Sequence, residues 1–115
     1  MYVAVGVYEL HIPHARSLKD KRAVVRSVRQ RIRNQFDVAA AEVALQDLHQ
    51  RARLGVSAVG ADGAILEGIM EQIGDLVAQD HDAVLVGSHF EIMAFESEGP
   101  LEGTKFDGGP LTTDD

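Results

Sequence analysis

The stretch from Arg16 to Arg33, RSLKDKRAVVRSVRQRIR, defines the first helix and carries most of the positive charge of the chain. Ser17 stands three residues before Asp20, a spacing typical of a helix start. The hydroxyl can accept from a free backbone N–H group, and the carboxylate favours the positive end of the helix dipole. We therefore expect a helix from about Leu18. Apolar residues recur along one side of it at intervals of seven, three, four and four, which predicts a face packed on a core: Leu18, Val25, Val28, Ile32 and Phe36.

The same stretch contains eight of the eleven basic residues and a single acid, Asp20. Five of the basic residues form a second stripe, one position after the apolar one and hence turned by about 100° around the helix: Lys19, Arg22, Arg26, Arg29 and Arg33. Positive charges along one helix face can follow a phosphate backbone and release its counterions. The residues predicted to bind RNA are Arg16, Lys19, Lys21, Arg22, Arg26, Arg29 and Arg33. The alternative is a solvated face whose arginines pair with carboxylates of this chain or of a protein partner.

Charge and composition limit the class of protein. The net charge of −7 argues at first against nucleic acid, but residues 96–115 hold six acids and one lysine, and we interpret them as a disordered acidic tail. Residues 1–95 then form one domain with ten basic and twelve acidic residues. The chain has no cysteine, which excludes disulfides and thiolate chemistry, and no apolar run of the roughly 20 residues that a membrane helix needs. We expect a cytoplasmic protein with no membrane partner.

The remaining segments alternate between strands and one more helix. Residues 2–12 form a strand whose apolar phase slips, which suggests a β-bulge near Gly6 to Tyr8. DVAAAEVALQ is rich in alanine but lacks a wide apolar stripe, so we predict a second strand that pairs with RARLGVSAVG across a turn at residues 46–50. Asp62 caps a second amphipathic helix that ends near Gln79, and Glu67, Glu71 and Asp75 form an acidic stripe on its outer side. AVLVGSHFEIMAF at residues 83–95 supplies the last strand.

This order, β-α-β-β-α-β, predicts an α+β fold of the ferredoxin-like type. Right-handed crossovers place both helices on one face of a four-stranded antiparallel sheet and leave the other face open.

Two segments, GVYELHIPHARSLKDKR and EVALQDLHQRARLGVSAV, resemble the bacterial YlxP-like family of small proteins of unknown function. The resemblance spans roughly residues 3–93, and its most specific parts are ARSLKDKR at 15–22 and QDLHQRA at 46–52. His49 departs from the family, in which this position is usually aromatic. The resemblance implies a ferredoxin-like fold. Genes of the family commonly lie beside those for translation initiation and ribosome-binding factors, which implies by association a role in ribosome maturation or translation.

Other candidate sites are weaker. Gln46, Asp47 and Arg51 surround the predicted hairpin turn, where Asp47 could bond turn N–H groups in a structural cluster or form part of a recognition tip. The five histidines lack ligand spacing, so no metal or cofactor is expected. The loop after the first strand resembles the anion site of acylphosphatases, but the one asparagine, Asn34, is at the far end of the helix.

Two functional hypotheses remain. The first is a non-enzymatic factor that docks its basic helix on ribosomal RNA or a ribosomal subunit; DNA is not an expected partner. The second is a protein-interaction module, most simply a homodimer formed through the open sheet face or an edge strand, whose charged helices recruit another protein. No catalytic residues are assigned.

Overall fold

A computed structural model describes residues 1–101 of the chain. Six elements follow one another in the predicted order: β1 (Tyr2–His11), α1 (Leu18–Gln35), β2 (Ala39–Ala44), β3 (Arg51–Gly60), α2 (Gly63–Ala78) and β4 (Val84–Ala94). The strands form one sheet in the order β2-β3-β1-β4, and every neighbouring pair is antiparallel. The ferredoxin-like prediction is therefore confirmed.

Both helices begin at the residues that the sequence indicates. The Ser17 hydroxyl accepts from the Asp20 backbone N–H at 3.1 Å, and the Asp20 carboxylate accepts from the Arg16 N–H at 2.9 Å. At α2, the Asp62 carboxylate accepts from the N–H groups of Ala64 and Ile65. These contacts satisfy backbone donors that have no partner inside a helix, and so they fix where each helix starts.

One hydrophobic core lies between the helices and a single face of the sheet. Each strand contributes alternate residues to it, and the buried side of α1 contributes Val25, Val28 and Ile32 as predicted. The Tyr8 side chain is almost fully buried in this core, and its hydroxyl donates to the Met70 carbonyl of α2 at 2.7 Å. Burial raises the pKa of Tyr8 to about 12. This hydrogen bond ties the central strand to the second helix.

The bulge predicted in β1 near Gly6 to Tyr8 is wrong. The strand pairs with β3 without interruption along its whole length, so Ala4, Tyr8 and Leu10 share the core face while the valines of β1 lie on the open face. A glycine at position 6 leaves room for the Met70 side chain instead, since a Cβ at this position would lie 2.5 Å from the Met70 methyl carbon. The extra residue lies in β4: Glu9 pairs with Gly87 and Leu10 with Leu85, so Val86 is bulged.

The alanine-rich segment is strand β2, as predicted, because β3 offers it a hydrogen-bonding partner and Ala40 packs in the core. A second bulge lies here: Glu42 pairs with Leu54 and Ala44 with Arg53, which leaves Val43 as the extra residue.

The chain continues past β4 along the start of β1. The Phe95 N–H donates to the Met1 carbonyl at 2.8 Å, and the Ser97 hydroxyl accepts from the terminal amine at 3.0 Å. The predicted disordered tail, 96–115, lies outside the described residues from 102 onward and stays a prediction. Neither of the helices in residues 1–101 is long and apolar enough to cross a membrane.

Candidate nucleic-acid interface

The outward side of α1 and the loop before it carry five exposed cationic side chains. They are five of the seven residues predicted to bind RNA: Arg16, Lys19, Arg22, Arg26 and Arg33. Within residues 1–101, none of these five side chains forms an ion pair with a carboxylate. Lys19 and Arg33 are separated by 14 residues, so the charges on the helix extend over about 21 Å along its axis. The result is a row of fixed positive charge that faces solvent.

The other five basic residues of the described chain have partners. Lys21 forms an ion pair with Glu42, and Arg31 forms one with Asp80. Arg51 and Arg53 both pair with Glu9. Arg29 is half-buried, and its Nε donates to the Ala40 carbonyl of β2 at 2.5 Å. Arg29 therefore anchors α1 to the sheet edge. Only the two outer nitrogens of its guanidinium are left for the predicted contact with RNA.

Lys21 does not lie on the surface, and the prediction that it binds RNA is corrected. Its side chain is 1% exposed, and its Nζ lies 2.8 Å from a Glu42 carboxylate oxygen. The same nitrogen donates to the carbonyls of Leu45 at 2.9 Å, Gln46 at 3.2 Å and Arg51 at 3.3 Å. An ammonium group has three donors, so these oxygens use its whole capacity. Lys21 holds the β2–β3 loop against the start of α1.

The β2–β3 loop is thus held differently from the predicted turn cluster. Leu45 has a φ of 64°, a left-handed conformation that is unfavourable for a leucine, and its carbonyl accepts from both Lys21 and the Leu48 N–H. Within residues 1–101, the side chains of Gln46 and Asp47 make no hydrogen bond, so Asp47 does not bond the turn N–H groups as the first of the two interpretations required. The second interpretation, a recognition tip, stays a prediction. The conformation of this loop is instead stabilised by the buried Lys21 ammonium group, which donates to its carbonyls.

A second residue, Gln50, joins this loop to the loop between β1 and α1. Its side-chain amide donates to the carbonyls of Pro13 at 3.2 Å and Ala15 at 3.1 Å. Its own carbonyl accepts from the Ile12 N–H at 2.8 Å. The two segments that carry the most specific resemblance, 15–22 and 46–52, therefore meet at one end of the sheet, where Arg16 and Lys19 extend the positive row.

Arg51 lies on the opposite side of the molecule from the α1 face. Its guanidinium and that of Arg53 both donate to the Glu9 carboxylate on the open face of the sheet. These two hydrogen bonds, together with the positive charge of both arginines, hold the pKa of Glu9 below its usual range. The Arg51 side chain thus bonds Glu9 and not the other predicted turn residues, Gln46 and Asp47.

The helix α2 has the opposite charge. Its outward side bears the acidic stripe expected from the sequence, Glu67, Glu71 and Asp75, all exposed. Because like charges repel, a polyanion would be repelled by this helix and attracted to α1. In residues 1–101, no group of three or more potential ligand side chains is arranged to hold a metal ion.

Comparisons with known proteins agree with the resemblance noted in the sequence. A family model described as "Protein of unknown function (DUF503)" matches residues 3–90. The chain is also similar to "Uncharacterized protein YlxP" of Bacillus subtilis (strain 168), with 35% identity over 65 residues, which cover 56% of this chain and 71% of that relative. The family match covers all but the first residue of β1, all of α1 and the Lys21-bound loop. The chain therefore belongs to the DUF503 family of proteins of unknown function.

Proposed function

We propose that this protein is a non-enzymatic RNA-binding factor that docks α1 on the phosphates of ribosomal RNA, within a ribosomal subunit or its precursor. One observation carries the proposal: all five basic side chains of residues 1–101 that lack a protein partner lie on α1 or directly before it. Outside residues 16–33, the described chain has two lysine or arginine residues, Arg51 and Arg53, and both pair with the Glu9 carboxylate. A solvated helix face with a purely structural role has no need for this segregation.

The arrangement favours phosphate contact over base recognition. Lysine and arginine side chains along a single helix can neutralise successive phosphates without regard to sequence. Few aromatic side chains are available for base stacking, and Tyr8 is buried in the core. The acidic stripe of α2 would limit contact to one side of the helix layer, which gives the complex a defined orientation. A cytoplasmic location, as expected from the sequence, would place the protein with ribosomes.

Co-sedimentation with purified ribosomal subunits at low and moderate salt tests this proposal. The variant Arg22→Gln/Arg26→Gln removes two central charges from α1. We expect the parent to sediment with a subunit at both salt concentrations and the variant to be lost from the pellet at moderate salt, because fewer counterions are released on binding.

The matched control is Ala64→Glu/Gln72→Glu, which lowers the net charge by the same two units at exposed positions of α2. It should sediment nearly as the parent does. If the parent fails to associate with either subunit, or if the two variants lose association equally, the α1 interface is excluded.

A further inference from the structure

The face of the sheet opposite the helices is uncovered within residues 1–101 and is rich in valine. Its apolar residues include Val3, Val5 and Val7 of β1, Val43 of β2, Val59 of β3 and Met93 of β4. Val59 is 66% exposed, Val43 51%, and Val5 and Met93 45% each. Adjacent apolar side chains on one exposed face are typical of a surface that binds another protein.

The open face carries His89 and Glu91 on its edge strand β4, and a second set of charges at one end of its two central strands. The central set indicates what the partner is. Glu9 of β1 lies beside Arg53 of β3 in the sheet, and His11 lies beside Arg51. The acid is therefore on one central strand and the two arginines on the other, with Arg53 level with Glu9 and Arg51 two residues further along. The carboxylate can accept further hydrogen bonds, and each guanidinium has five N–H donors, so both groups retain capacity for an external partner.

We propose that a second copy of this chain docks on the open face, with β1 of one protomer over β3 of the other. A two-fold axis parallel to the strands, between β1 and β3, produces this arrangement. It places Glu9 of each copy over Arg53 of its partner, and Val3 over Val59 of its partner, because these residues are neighbours in the sheet. Aligned sheets pack with strands crossing at about 30°, which keeps these pairs near one another.

The other simple orientation is unfavourable. A two-fold axis across the strands would place β1 over β1 and β3 over β3 with their ends exchanged. Arg53 of one copy would then lie near Val59 of the other, and Glu9 near Val3, so charges would be buried against apolar side chains. Only the axis along the strands pairs opposite charges and apolar groups at once.

The size of the face fits such a contact. Strands about 4.8 Å apart and six to eleven residues long, at roughly 3.3 Å per residue, give a four-stranded face of about 600 Å². A face-to-face pair would bury roughly 1,200 Å² in total, at the lower limit for specific interfaces. The dimer does not depend on the proposed RNA binding, and it leaves both α1 helices on its outer surfaces.

Light scattering coupled to size-exclusion chromatography tests the dimer with the full-length protein at tens of micromolar. We expect twice the chain mass for the parent and the mass of one chain for Val59→Glu, with an unchanged circular dichroism spectrum. The control Ile65→Glu introduces the same charge at a similarly exposed position, 61%, on the helix side, and it should remain dimeric. A monomeric parent, or equal behaviour of the two variants, would overturn the proposal.

A charge exchange tests the axis itself. The variant Glu9→Arg/Arg51→Glu/Arg53→Glu preserves the pairing of opposite charges within a chain and between two identical chains. Mixed with differently tagged parent, however, it would place like charges opposite each other. We expect each protein to form its own dimer and no heterodimer to be captured on the tag of the other. Free exchange between the two would contradict the proposed register, and if this variant fails to fold, Val59→Glu decides the outcome.

Discussion

Lys21 is the residue on which the geometry of one end of the molecule depends. Its ammonium group neutralises Glu42 and binds three loop carbonyls, while only 1% of the side chain is exposed. Within residues 1–101, the buried Glu42 Oε2 has no ion-pair partner other than Lys21. Removing one partner of a buried ion pair leaves the other charge without compensation, which costs more than the pair itself contributes.

We expect Lys21→Met to destabilise the protein by about 3 kcal/mol, measured by urea unfolding. Lys19→Met removes the same charge from an exposed position two residues away, and it should change the free energy of unfolding by less than about 0.5 kcal/mol. The double variant Lys21→Met/Glu42→Leu should recover part of the loss, because no unpaired carboxylate remains. Equal stabilities of the two single variants would contradict the structural role of Lys21.

Tyr8 gives a prediction that depends on pH. The folded pKa of about 12 lies above the ordinary value of about 10, so between these limits the folded state keeps a proton that the unfolded state loses. The stability of the parent should therefore fall as the pH rises from about 10 to 12. Tyr8→Phe lacks this group, and at pH 8 it should be less stable by about 1 kcal/mol through loss of the bond to the Met70 carbonyl.

Urea unfolding of both proteins at pH 8 and pH 11 checks this prediction, because the other titrating groups are common to the two. The free energy of unfolding of the parent should exceed that of Tyr8→Phe by less at pH 11 than at pH 8. A constant difference across this range would show that the Tyr8 hydroxyl is not buried as described.

The buried position of Lys21 is predictable from its spacing along the helix, although a lysine is ordinarily expected on the surface. The apolar stripe of α1 runs from Leu18 to Val25 with a gap of seven, and residue 21 lies in that gap on the same side of the helix. This spacing assigns Lys21 to the buried side of the helix, whereas its charge alone groups it with the exposed basic residues. The partner Glu42 lies at an inward position of β2, a second sign that a buried cation would be needed.

At the level of elements, α1 has three distinct sides. One side packs in the core, Arg29 and Arg31 anchor the helix on the two opposite flanks of that side, and the outward side presents unpaired cations to solvent. This division provides a comparison within a single helix. Arg26 and Arg31 have the same charge, but only Arg31 has a carboxylate partner, Asp80.

We therefore expect Arg26→Gln to weaken RNA binding and to reduce the salt dependence of the binding constant by the equivalent of about one phosphate contact. Arg31→Gln removes an equal charge from the same helix but one already neutralised by Asp80, so its effect on RNA affinity should be much smaller. Fluorescence anisotropy with a labelled ribosomal RNA fragment measures both. A larger effect from Arg31→Gln would mean that the contact surface lies elsewhere on α1.

The elements themselves were predictable, since helix caps and alternation are local signals: Ser17, Asp62 and the pattern of β3 were sufficient. The bulges were not. The valines of β1 appeared out of phase because the open face of the sheet is also apolar, and an alternating pattern cannot distinguish a buried face from an exposed apolar one. The extra residues, Val43 and Val86, become apparent only when two strands are paired.

At the level of the whole molecule, charge and hydrophobicity are separated onto different surfaces. The positive face of α1 and the acidic stripe of α2 share the helix layer, and the valine-rich face is on the other side of the sheet. The net charge of −7 conceals this separation. Sequence spacing predicted the two helix faces, whereas the pairing of Arg51 and Arg53 with Glu9 required the order and register of the strands.

The most direct test of the RNA-binding proposal is the salt dependence of binding to a single-stranded ribosomal RNA fragment, with the parent and the Arg22→Gln/Arg26→Gln variant side by side. Five phosphate contacts predict a slope of roughly −3.5 for the logarithm of the binding constant against the logarithm of salt concentration, and loss of two contacts should reduce its magnitude by about 1.4. A parent slope near zero, or an identical slope for the variant, would contradict the assignment of α1 as the phosphate-binding surface.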